Sequence, residues 1–113
     1  MTAIRPISLP LHGALELLTG MLALVAPFAL GFTPAGTVVA VLVGAVAVGL
    51  ALDATQPERV TTHHALDYGL AFGALAAAVA LAATGDVAAT LTLAAFGLAQ
   101  LGLNGATRYS ARA

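Results

Sequence analysis

Polar side chains in this chain are gathered into short breaks: an opening MTAIRPIS, an uncharged GFTPAG, a charged DATQPERVTTHH, a TGD turn and a closing RYSARA. Between them lie four apolar runs of about 20 residues each, the length a helix needs to cross a hydrocarbon layer roughly 30 Å thick. The pattern predicts helices over residues 9–30, 36–54, 62–83 and 87–107. Ser8 is placed to cap the first, with Pro10 tolerated in its opening turn, Thr61 or Thr62 to cap the third and Asp86 the fourth. Pro27 is expected to bend or loosen the end of the first helix before Gly31 and Pro34 stop it. The second run is rich in Val, which suggests a strand in a soluble protein, but it is unbroken for too long.

Composition turns this into a membrane fold. Of 113 residues, 60% are hydrophobic and 8% charged, against about 25% charged in a soluble domain. Four spans use up most of the chain, so the expectation is a single integral membrane domain, an all-α bundle of four transmembrane helices. His12 and Glu16 interrupt the first run and only Arg5 precedes it, so it reads as a mature helix rather than a signal peptide. A net charge of -1 with four Arg and no Lys offers no nucleic-acid footprint and no polybasic lipid tract. The absence of Cys excludes disulfides and thiolate sites. Arg5, Arg59, Arg108 and Arg112 all fall in the tails and the middle break, which predicts both termini on the cytoplasmic side of a cell membrane. Tyr68 and Tyr109 are then expected at the inner interface, and Phe28 and Phe32 at the outer one.

The chain also repeats itself. An offset of 51 residues lays LHGALELL on THHALDYG, pairing His12 with His63 and Glu16 with Asp67. An offset of 53 pairs Thr37 with Thr90 and Gly44, Gly49 and Leu50 with Gly97, Gly102 and Leu103. Each unit holds two spans, so both copies start from the same side of the membrane, as a parallel repeat about an axis along the membrane normal.

The first unit, GALELLTGMLALVAPFALGF followed by VVAVLVGAVAVGLAL, resembles the SPW-repeat integral membrane family. That family's unit is a helix ending in Ser-Pro-Trp with a Leu-Gly-Phe-like turn, followed by a Gly-containing helix. Ala26-Pro27-Phe28 and Leu30-Gly31-Phe32 stand at those positions, keeping the proline and the turn but not the serine or tryptophan. In the second unit Ala83-Thr84-Gly85 occupies the place of the tripeptide. The resemblance implies a small bacterial or archaeal membrane protein of unknown activity and brings no catalytic residue with it.

Two features could carry function. His12 with Glu16 and His63 with Asp67 are four residues apart, each pair on one helix face at the same membrane side, with His64 adjacent. A carboxylate inside hydrocarbon must pick up a proton or find a partner. The residues could pin the first and third helices together, relay a proton or cation, or hold a transition metal; no motif fixes a metal geometry. Asp53 is expected to seek Arg59 or a histidine, and Gln100 and Asn104 to supply neutral bonds between helices. The second feature is a small-residue stripe, Ala65, Gly69, Gly73 and Ala77, able to bring another helix close, inside the bundle or in a homo-oligomer. No nucleophile with a base and no phosphate-cradling loop is present, so an enzyme, a cofactor and a small-molecule substrate are not expected. A structural or assembly component of the bilayer is the first functional expectation, and proton or metal-cation handling the alternative.

Overall fold

A computed structural model describes residues 5–54 and 60–109, with side chains from residue 63 onward in the second stretch. It contains four helices, α1 (Leu9–Leu30), α2 (Pro34–Asp53), α3 (Val60–Ala83) and α4 (Val87–Ala106). All four are long and apolar enough to span a membrane, and the protein is a multi-pass membrane protein with an all-α, four-helix architecture. Helices α1 and α2 pack intimately as one hairpin and α3 and α4 as another; the hairpins dock through α2 on α3 and α1 on α4.

The caps explain most of the boundaries. Ser8 Oγ accepts from the Leu11 N–H, and Asp86 Oδ1 from the Ala89 N–H, as expected. Pro34 does not merely end the first span: with Thr33 as N-cap it opens α2, two residues earlier than the pattern suggested. Helix α3 is already under way at Val60, so Thr61 and Thr62 lie inside it and not at its start. Arg59, the expected partner of Asp53, lies outside the described residues. Helix α1 continues through Pro27 to Leu30, because the prolyl carbonyl still accepts from the N–H groups of Gly31 and Phe32. Gly31 takes the left-handed conformation, φ 68°, that lets the chain turn away.

Beside a few large side chains such as Leu93 and Phe96, the bundle buries many alanines and polar groups, and much of what it exposes is large and apolar. Ala40, Ala47, Ala71, Ala74 and Ala89 are inaccessible, while Phe28, Val79, Leu52 and Leu91 point outward. Lipid tails are as apolar as leucine, so nothing drives large aliphatic groups inward, and small side chains win the interior by letting backbones approach. Phe32 departs from the expected outer belt: it is buried among Ala40, Ala78, Leu81, Ala89 and Leu93. Tyr109 likewise leaves the inner belt for the interior.

One close approach within each hairpin repeats at the offsets seen in the sequence. A methyl group on Gly44 would meet the Gly20 carbonyl at 2.8 Å and the Leu24 side chain; one on Gly97 would meet the Ala71 carbonyl at 3.1 Å and the Leu75 side chain. Gly20, Leu24 and Gly44 correspond to Ala71, Leu75 and Gly97, so both hairpins close on the same contact. By contrast Gly69 and Gly73 face outward, where a methyl would meet nothing within 4 Å, and Ala65 is exposed. Gly69 and Gly73 make no close approach among the described residues, while Ala77 is partly buried against the core; α3 packs mainly through Asp67, Leu70, Ala71, Ala74, Ala78 and Leu81.

Candidate functional site

The repeat brings equivalent residues face to face on its axis. At one end of the bundle the N-caps Thr33 and Asp86, 53 residues apart, bond directly. At the other end, where α1 and α3 begin, His12, Glu16, His63 and Asp67 converge, and one ligand-capable atom from each lies within 4.8 Å of all the others. All four are 0–1% exposed. In a membrane protein such groups are expensive to bury and face the bundle interior.

Two contacts link α1 to α3, His12 with Asp67 and His63 with Glu16, and one more lies within each helix. His12 Nε2 lies 2.8 Å and His63 Nε2 3.0 Å from Asp67 Oδ2. His63 Nε2 is 3.5 Å from Glu16 Oε1, and His12 Nε2 3.6 Å from Glu16 Oε2. The imidazoles stand edge to face, with ring centres 5.6 Å apart. Yet neither Nε2 has an aligned hydrogen bond, and Glu16 Oε1 and Asp67 Oδ1 have no hydrogen-bond partner among the described residues.

An outer layer fixes three of the four. Thr107 Oγ1 donates to the Leu103 carbonyl at 2.6 Å, so at 2.8 Å from His12 Nδ1 it can only accept. His12 therefore carries a hydrogen on Nδ1. Gln100 Nε2 donates to Glu16 Oε2 through a short bond between α4 and α1, the interhelical role expected of it. The Tyr109 hydroxyl donates to Asp67 Oδ2 at 2.7 Å, with Asn104 Oδ1 at 3.2 Å. Burial, with the adjacent Asp67 carboxylate, pushes the Tyr109 hydroxyl above the usual tyrosine range, so it stays a donor. The segment after α4 is held by Ile7, whose N–H donates to the Ala106 carbonyl and whose carbonyl accepts from the Arg108 N–H. This pairing carries Tyr109 back over the cluster.

His64 is the one histidine left out. It is half-buried, with its ring 4.4 Å from that of Tyr109 and 5.1 Å from that of Tyr68. Thr107 and Tyr109 were not expected at the site, but the repeat held a signal for Thr107. At the offset of 53, Gln100, Asn104 and Thr107 stand where the first unit has Ala47, Ala51 and Ala54. Three replacements of alanine by polar residues along one helix stripe mark the face that meets the cluster.

The chain matches no family model, no curated protein and no solved structure.

Proposed function

We propose that this small, non-enzymatic membrane protein, with both ends on the cytoplasmic side of a cell membrane, takes up a cation between His12, Glu16, His63 and Asp67, either a proton or a metal ion. One observation carries the reading. Because His12 holds a hydrogen on Nδ1, Nε2 of the neutral ring carries a lone pair, and it lies 2.8 Å from a carboxylate oxygen of Asp67. Two acceptors that close repel each other, and a positive charge on or between them relieves it. The orientation draws support from Arg5 and Arg108, which flank the cluster end of the bundle.

A second reading, as an assembly component, draws on the outward face of Ala65, Gly69 and Gly73, which has room for a second copy of the chain. Proteoliposomes separate the two. Cation handling requires proton flux or bound metal above background in the parent, and its loss in the Glu16→Gln, Asp67→Asn double variant at unchanged helicity. A parent at background in both measurements leaves the assembly reading alone.

A further inference from the structure

We propose that the cluster is a mononuclear site for a divalent transition-metal ion of the zinc class, bound by Nε2 of His12, Nε2 of His63 and one carboxylate oxygen each from Glu16 and Asp67. This rests on the cation reading above and names the cation.

The first argument is spacing. Tetrahedral zinc has bonds to nitrogen and oxygen of about 2.0–2.1 Å, which sets neighbouring ligand atoms about 3.3 Å apart. Asp67 Oδ2 lies 2.8 and 3.0 Å from the two Nε2 atoms, the Glu16 carboxylate reaches His63 with Oε1 at 3.5 Å and His12 with Oε2 at 3.6 Å, and one ligand atom from each of the four residues lies within 4.8 Å of the rest, so a small movement of Glu16 closes the shell. The second is direction. In an ion pair the imidazole N–H points along the line to its oxygen, but here neither Nε2 is aligned with the oxygen beside it. Ligands around a common centre behave this way, since each lone pair points at the ion and not at its neighbour. The third is charge. Two carboxylates and two neutral imidazoles sum to two negative charges, which one divalent ion cancels inside the bilayer.

The outer layer agrees. Metal-bound histidines give their other ring N–H to an oxygen acceptor, and ligating carboxylates accept bonds of their own. Thr107 takes the N–H of His12, Gln100 bonds Glu16 and Tyr109 bonds Asp67. A twofold-repeated chain supplies ligands in pairs, one histidine and one acid from each copy, all from two helices that begin at the same membrane face. Imidazole with carboxylate suits zinc, iron or manganese better than the all-oxygen shells of calcium and magnesium.

The test uses the full chain in detergent, stripped with EDTA and dialysed. It is titrated with Co2+ by visible absorption and with Zn2+ in competition with a chelating dye. One equivalent of Co2+ should give the intense visible bands of a tetrahedral nitrogen and oxygen shell, and one equivalent of Zn2+ should bleach them. Thr107→Val, which removes the acceptor of the His12 N–H along with the hydroxyl bond to the Leu103 carbonyl and leaves all four ligands in place, should weaken Zn2+ binding by roughly 10–100-fold at unchanged stoichiometry. Absence of bands in the parent, or binding untouched by His63→Gln, overturns the proposal, and the parent spectrum decides even where a variant misfolds. Proton flux in the same preparation tells the two levels apart. Flux without metal removes this inference and keeps the cation reading, and neither removes both.

Discussion

Thr33 Oγ1 donates to Asp86 Oδ2 at 2.6 Å, joining the N-cap of α2 to the N-cap of α4 across the axis of the repeat. The same carboxylate oxygen accepts from the Thr33 N–H at 2.9 Å, and its partner oxygen from the Ala89 N–H at 3.1 Å. One carboxylate therefore closes the first turn of α4 and holds the threonine whose hydroxyl closes that of α2, in the other hairpin. The Thr33 hydroxyl, followed by the Ala89 N–H, holds the Asp86 carboxyl below the usual carboxylate range. A lowered native pKa stabilises the fold above the unfolded value and is lost as pH falls through the native one. In detergent, the melting temperature of the parent should drop more than that of Asp86→Asn below about pH 4. Equal acid sensitivity in the two would remove Asp86 from the account.

Glycines of like appearance should respond in opposite ways. Gly44 faces the Gly20 backbone, where a methyl group would lie 2.8 Å from a carbonyl oxygen that cannot swing aside. Gly44→Ala should therefore destabilise the bundle by about 1–3 kcal/mol, as overpacking does. Gly69→Ala adds its methyl to open space and should cost nothing, gaining up to about 1 kcal/mol from helix propensity. Unfolding titrations in mixed micelles measure both. Gly73→Leu, run beside them by oligomeric mass, leaves the mass unchanged unless that face holds a second copy.

These glycines also show what was legible in the sequence and what was not. Span number and length were readable because the hydrocarbon thickness fixes them, and the His and acid pairs because a spacing of four means one face of a helix. Inward and outward faces were not readable in the same way. With apolar solvent outside and alanine inside, hydrophobicity hardly distinguishes the faces, so the regular stripe of Ala65, Gly69 and Gly73 was open to being read as a contact face inside the bundle. Tyr109 was illegible for another reason. Its place depends on the strand-like pairing of Ile7 with the segment after α4, a long-range contact between two stretches that carry no periodic signal. His64 looked equivalent to His63 as its neighbour, but consecutive helical residues point about 100° apart.

Tyr109 offers a direct measure of how tightly the outer layer holds the acids. Tyr109→Phe keeps the buried ring and removes only the donor 2.7 Å from Asp67. Leaving a buried carboxylate short of one bond should cost about 1–3 kcal/mol. The loss should appear in denaturant unfolding with helicity intact, and it should vanish in an Asp67→Leu background, which has no acceptor there, if the bond is the cause. A cost that persists there would point to ring contacts with His12 and His64 instead.

The asymmetry between the two histidines yields the last expectation. His12 has Thr107 to accept from Nδ1, whereas His63 Nδ1 is buried with no hydrogen-bond partner among the described residues. The repeat explains the gap. Thr107 corresponds to Ala54, which is buried at the end of α2, and Leu103, whose carbonyl orients the Thr107 hydroxyl, corresponds to Leu50. A hydroxyl at position 54 can bond the Leu50 carbonyl and accept the His63 N–H, restoring on the second side the arrangement of the first. Ala54→Ser should thus raise stability in detergent by about 1 kcal/mol. Coupling to His63 is what makes the expectation specific: in a His63→Gln background the gain should disappear, while His12→Gln should leave it in place. A gain equal in both backgrounds would mean that the serine acts on the end of α2 and not on the ring.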